Sequence, residues 1–266
     1  MLLSLPSPGD PFVFQLGSLQ SRWSGVLLAV AGVVAVWVTR RRFAGRGLDP
    51  ELVIPVAVCA VVFGVVGARA EHVLSDWSVF ARDLNNAFRF WRGGMGIYGG
   101  VVGGMLGAVL GCRLVRLPFW TVADCAAPGL VLAQAIGRFG DYTNQALYGR
   151  PSGLPWAIRI DYPIPPYPHG QAFQPAFLYE SLWDLAVFGV LMWFTRRTDS
   201  RLRPGTVFAL YAVLYSLGRL CVETIRIDPT DHVFGQRVDI WVAGLVALAA
   251  GSAFAVLWTR RTAAPA

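Results

Sequence analysis

Lysine is absent from the sequence: all 23 cationic side chains are arginine, set against 16 carboxylates for a formal net charge of +7. Charge of either sign is scarce, at 15% of 266 residues, where a soluble domain carries roughly a quarter. With 55% hydrophobic residues and a mean hydropathy of +0.50, that shortage excludes an ordinary soluble domain and implies an integral membrane protein. Because arginine is used throughout, its identity says little and its position says more. Cys59, Cys112, Cys125 and Cys221 lie inside or at the ends of apolar runs with no C-x-x-C spacing, so they are expected to be packing residues, forming neither disulfides nor a metal site. His72, His169 and His232 are scattered and make no metal-binding pair. No metal, cofactor or nucleic-acid partner is expected. The opening "MLLSLPSPGDPF" has no charged n-region and is broken by prolines, so it is not expected to act as a signal peptide.

What is present is a series of apolar runs near the roughly 20 residues that a helix needs to cross a bilayer. Seven spans are predicted, near 23–39, 52–69, 96–114, 121–137, 177–195, 205–221 and 240–258. "GGVVGGMLGAVLG" suits close helix–helix approach, because small residues let backbones meet. No internal repeat or low-complexity linker is visible. The expected fold is an all-α polytopic membrane protein: one membrane domain over residues 1–266, with seven transmembrane helices and a small extracytoplasmic cap at 138–176. The cap segment, with "PSGLPWAIRIDYPIPPYPHG", is dense in proline and tyrosine, which suit turns and the lipid–water interface.

Arginine clusters follow the odd-numbered spans, in "TRRRFAGR", "CRLVR", "TRRTDSRLR" and "TRR". The positive-inside rule then puts the N-terminus outside and the C-terminus in the cytoplasm. The outer side still carries Arg69, Arg82, Arg89, Arg92, Arg138, Arg150, Arg159, Arg219, Arg226 and Arg237. Against that rule, these need compensation from acidic side chains or from a bound anion.

Four stretches bring polar groups to the outer ends of apolar helices: "GGMGIYGG" at 93–100, "GRFGDYTNQALYGR" at 137–150, "FQPAFLYE" at 173–180 and "YSLGRLCVETIRID" at 215–228. In the last, Tyr215, Arg219 and Glu223 recur every four residues, so one helical face presents all three. Such a set could merely pin two helices, but ionisable groups inside a membrane are expensive and by default mark a functional pathway. Arg138 and Arg219, on two helix ends, form a candidate anion site.

These stretches resemble the prolipoprotein diacylglyceryl transferase family. Its signature, G-R-x-G-N-x-x-N-x-E-x-x-G, is matched in register by Gly137, Arg138, Gly140, Asn144 and Gly149. Pro155–Trp156, then Pro175, Tyr179 and Glu180 of an H-P-S-x-L-Y-E-like stretch, then Arg219 and Glu223, follow in family order. The likeness runs from about residue 6 to 258, and "IRIDPTDHVFGQRVDIWV" is similar to actinobacterial members. The departures are Asp141 for asparagine, Ala146 for glutamate, Tyr98 for a frequent histidine, Ser24 for tyrosine and Gln174 for histidine.

The resemblance implies an enzyme of the bacterial plasma membrane that moves diacylglyceryl from phosphatidylglycerol to the lipobox cysteine thiol of prolipoproteins, the first step of lipoprotein maturation, among membrane lipids and without a cofactor. It implies catalytic roles for Arg138, Arg219, Glu223 and Tyr98, and substrate contacts for Arg138, Asp141, Asn144, Gly149, Glu180 and Tyr215. Arginine suits a departing phosphate, being permanently charged and forked. A thiol of pKa about 8.5 also needs a base or a positive field; Glu223, Asp141 and Tyr98 are alternatives, and Tyr98 could instead hold a phosphate or glycerol hydroxyl. Asp141, Ala146 and Gln174 would also suit a divergent relative that binds phospholipid or precursor without turnover. A small-solute transporter is disfavoured, because neither repeated halves nor paired broken helices are visible.

Overall fold

The computed structural model describes residues 9, 11–16, 19–81, 83–88, 94–162, 164–168, 170–198 and 202–260. Arg82, Arg89, Arg92, Gly93, His169, residues 199–201 of the arginine-rich connection after the fifth span, Arg261 and parts of the opening motif lie outside them. Among the described residues, seven helices are long and apolar enough to cross a membrane: α1 (Trp23–Gly45), α2 (Val53–Ser75), α4 (Ile97–Leu114), α5 (Phe119–Thr143), α6 (Ala176–Thr198), α7 (Thr206–Glu223) and α8 (Val238–Thr259), with a single turn, α3 (Trp77–Phe80), after α2. The protein is a mostly helical, multi-pass membrane protein, as predicted. The strands among the described residues are three short antiparallel pairs: β1 (Phe12–Leu16) with β2 (Leu19–Arg22), β3 (Ile158–Arg159) with β4 (Ala172–Phe173), and β5 (His232–Val233) with β6 (Gln236–Arg237).

The chain divides into two compact units, Met1–Trp37 with Ala126–Ala266, and Val38–Cys125. In the second unit α2 and α4 pack along a seam of glycines. Added Cβ atoms on Gly67, Gly99, Gly103 or Gly107 would collide with the facing backbone, and one on Gly111 would lie 2.7 Å from the Val56 Cα. Each helical glycine costs about 1 kcal/mol of helix propensity, which the close backbone approach offsets. At the end of this pair the buried Arg69 donates to the Gly94 carbonyl at 3.0 Å and the Asn86 carbonyl at 2.5 Å. Glu71 accepts from the Gly99 amide at 2.7 Å. Arg69 is thus compensated in part by backbone carbonyls, a partner that the positive-inside argument had not named.

In the other unit, α6, α7 and the distal part of α5 share an apolar core of Ala127, Val131, Val187, Leu191 and Val207, and α8 packs on α7. The buried stripe of α6 follows helical spacing but changes character along its length. Glu180, Ser181 and Asp184 occupy its first two turns, and Val187 and Leu191 continue it. Ser181 donates to the Ala135 carbonyl at 2.9 Å, tying this polar end to α5.

The fourth span extends further than its predicted end at 137. Gly137 and Gly140 stay within α5, which continues to Thr143, so Arg138 and Asp141 sit on its last turns rather than on a loop. Gln145 and Leu147, with φ of 52° and 54°, turn the chain away. The segment between α5 and α6 has its own small core of Tyr148, Ile160 and Phe173, to which Ile227 adds. Burial, followed by the neighbouring Tyr162, pushes the Tyr148 phenol up to about 12.

Candidate active site: an arginine–carboxylate chain

Helix geometry delivers the site's groups from four elements. α5 contributes Arg138 and Asp141, three residues apart. α6 contributes Glu180 from its second turn, and α7 presents Tyr215, Arg219 and Glu223 on one face. Asp239 lies in the first turn of α8, where a carboxylate suits the helix dipole.

Glu180 joins the two arginines singled out in the sequence. One oxygen accepts from Arg219 NH1 at 2.6 Å and the other lies 2.6 Å from Arg138 Nε. The second contact is close enough for an ion pair but lacks hydrogen-bond geometry, and that buried oxygen has no hydrogen-bond partner among the described residues; it is a close Coulombic contact. Arg138 also donates to the Tyr215 hydroxyl at 3.3 Å and reaches Asp141 at 3.5 Å. Arg219 extends to Glu223 at 3.2 Å and Asp239 at 3.6 Å. The side chain of Glu223 is fully buried and accepts from Arg226 at 3.1 Å and from Arg237. Asp228 closes the chain, held by the fork of Arg226 at 2.8 and 2.6 Å. Burial works against its ionisation, but the Arg226 hydrogen bonds and the charges of Arg226 and Arg237 prevail and hold its carboxyl below the usual range. Four arginines thus run among five carboxylates. The compensation anticipated for Arg138, Arg219, Arg226 and Arg237 is acidic side chains.

Arg138, Glu180, Trp183, Asp184, Tyr215, Gly218 and Arg219 line a narrow cleft. Gly218 is required beside it, because a Cβ there would collide with the Trp183 indole, which donates to the Leu214 carbonyl at 2.9 Å. A larger, more open hollow, lined by residues such as Pro151, Leu154 and Arg159, contains none of the predicted site residues. Size does not mark the chemistry here; the clustered charges do.

Of the predicted residues, Arg138, Asp141, Glu180, Tyr215, Arg219 and Glu223 come together. Asn144 begins the chain beyond α5, with its buried Oδ1 lacking a hydrogen-bond partner among the described residues. Gly149 donates to the Gln174 carbonyl at 2.8 Å and bridges to Arg226. A Cβ on Gly149 would come within 3.1 Å of Gln174 Cβ and the Ile225 carbonyl. Tyr98 is in the first turn of α4, 42% exposed, within the Val38–Cys125 unit. Sequence reasoning did not name Arg226, Asp228, Arg237, Asp239 or Asp184 as site residues. Asp184 lies four residues after Glu180 on α6, so helical spacing was the available signal for it, whereas Arg226 lies beyond the end of α7 and had none.

Fold and site together define a polytopic membrane protein with a charged centre built at its helix ends. The chain belongs to the prolipoprotein diacylglyceryl transferase family, whose model matches residues 11–258. It is 44% identical over 265 residues to a phosphatidylglycerol–prolipoprotein diacylglyceryl transferase of Frankia alni, covering 98% of this chain and 69% of that protein. The Paenarthrobacter aurescens protein of the same name is 41% identical over 96% of this chain and 84% of its own length. That of Thermosynechococcus vestitus is 37% identical over 95% of this chain and 93% of its own. The chain spans only 63% of the Frankia casuarinae relative.

Proposed function

We propose that this chain transfers the diacylglyceryl group of phosphatidylglycerol to the lipobox cysteine thiol of prolipoproteins, working as one membrane domain in the bacterial plasma membrane. The observation that carries the reading is the Glu180 bridge. Its two oxygens engage Arg138 and Arg219 at 2.6 Å each, the same arrangement that two non-bridging oxygens of a phosphodiester would adopt. A headgroup phosphate would enter by sharing or displacing that carboxylate. Forked, permanently charged donors then face the oxygens on which negative charge develops as sulfur attacks the glycerol carbon and glycerol phosphate leaves. Tyr215 and Asp141 fix the Arg138 fork, and Glu223 with Asp239 fix that of Arg219. Asn144 offers its amide to the headgroup, and Gly149 keeps the adjoining backbone close.

Arginine in the last turns of α1, α4 and α6, at Arg42, Arg113, Arg196 and Arg197, supports an external N-terminus and a cytoplasmic C-terminus. The test is transfer of labelled lipid from phosphatidylglycerol vesicles to lipobox peptides by the purified full chain. Product from wild-type protein is expected. Lipid binding without product, beside an active control enzyme, would establish a binding relative instead.

A further inference from the structure

One carboxylate of the cleft is missing from the ion-pair chain. Asp184 lies one turn beyond Glu180 on the buried stripe of α6 and is 2% exposed. It lines the same cleft as Arg138, Glu180, Tyr215 and Arg219, yet its buried Oδ2 has no hydrogen-bond partner among the described residues. Every carboxylate of the chain is engaged by arginine, including Glu180 Oε2, which lacks a hydrogen bond among the described residues but lies 2.6 Å from Arg138 Nε. Asp141 and Glu180 face Arg138, Glu180 also faces Arg219, and Glu223 receives three arginines. Asp228 fills the Arg226 fork, and Asp239 faces Arg219. A carboxylate whose lone pairs are taken by guanidinium donors has little left to offer a proton. A buried lone pair left open on a membrane helix is costly and calls for a role.

Resting on the transferase reading above, the structure assigns to Asp184 the general base that accepts the proton of the incoming thiol. Oδ2 takes that proton as sulfur bonds to the glycerol carbon of phosphatidylglycerol. The carbon–oxygen bond breaks with its electron pair on the phosphate oxygen, and the departing glycerol phosphate carries the proton away, restoring the carboxylate. No further reactant is needed. The ionisable groups around Asp184 are Glu180 on its own helix, Arg138 on α5, and Tyr211 and Tyr215 on α7. The arginine therefore stays with the phosphate while the aspartate serves the sulfur.

The experiment compares transfer to two lipobox peptides, one with cysteine and one with selenocysteine, whose selenol ionises at neutral pH without a base. Asp184→Asn is expected to lower kcat for the cysteine peptide about 100-fold or more, with KM for phosphatidylglycerol little changed. The selenocysteine peptide should recover most of that loss, and Asp184→Glu should retain part of the activity. Wild-type kcat in Asp184→Asn, or equal losses with both peptides in folded protein, would overturn the assignment alone. If the asparagine variant does not fold, pH profiles of the wild type decide. An acid limb with cysteine that is absent with selenocysteine is expected, and matching profiles would overturn the assignment. Wild-type protein inactive on both peptides would instead remove the transferase reading itself.

Discussion

The Val38–Cys125 unit and the Ala126–Ala266 part of the other unit solve helix association by opposite means. Between α2 and α4 almost nothing polar is used, and backbones meet because glycine leaves no side chain in the way. Between α5, α6 and α7 the apolar core gives way, at one end, to arginines and carboxylates within 2.6–3.6 Å of each other. The first seam depends on shape and tolerates no added atoms. The second depends on charge balance and tolerates no missing partner. The proposed chemistry lies in the second, because its ionisable groups can both hold a phosphate and take up a proton.

Glu223→Ala should break the charged seam most severely. It leaves Arg219, Arg226 and Arg237 without their shared carboxylate, and stranding buried charge costs about 3–5 kcal/mol; a lower thermal midpoint in detergent should accompany loss of transfer. A stable variant would mean that the chain of ion pairs contributes no cohesion. Arg138→Lys should come next. It keeps the charge but loses the fork that reaches Glu180, Tyr215 and Asp141 together. A fall in kcat of roughly 100-fold, or about 3 kcal/mol, is expected, with the thermal midpoint changed much less than in Glu223→Ala.

The glycine seam is tested by Gly103→Val, whose side chain would collide with the Phe63 carbonyl. Overpacking of this kind costs about 1–3 kcal/mol. Thermal unfolding should detect it, and an unchanged midpoint would show that the backbones can part freely. The smallest effect is acid sensitivity at Asp228. Its ionisation is favoured in the folded protein, so its contribution is present above the unfolded pKa of about 3.9 and is lost as pH falls through the still lower folded value. Stability should therefore decline below about pH 4 less steeply in Asp228→Asn than in wild type.

Much of this contrast was legible in the sequence because its signals are local. Apolar length revealed the seven spans, and the glycines of "GGVVGGMLGAVLG" foretold the tight seam. The four-residue recurrence of Tyr215, Arg219 and Glu223 placed them on one helical face. The missed partners depend on tertiary meeting. Arg237 precedes α8 and reaches Glu223 across a turn, while Asp228 is held by a loop arginine. Asp184 is harder to recognise, because one aspartate in "YESLWDLAV" reads as any polar residue until its empty lone pair is seen in three dimensions. The extension of α5 beyond Gly137 was hidden because glycines that usually interrupt helices remain inside this one.

The seam between α2 and α4 has a further consequence for how that pair behaves under thermal agitation. A contact made by Gly67, Gly99, Gly103 and Gly107 has no rotamers at its centre, so bringing the helices together freezes almost no side-chain freedom there. Its attraction comes from close atoms and weak Cα–H···O contacts, which decay within a fraction of an ångström. Such a joint is stiff against small displacements but has no soft side chains to absorb a large one. It responds as a rigid strut, holding its spacing until the two helices separate.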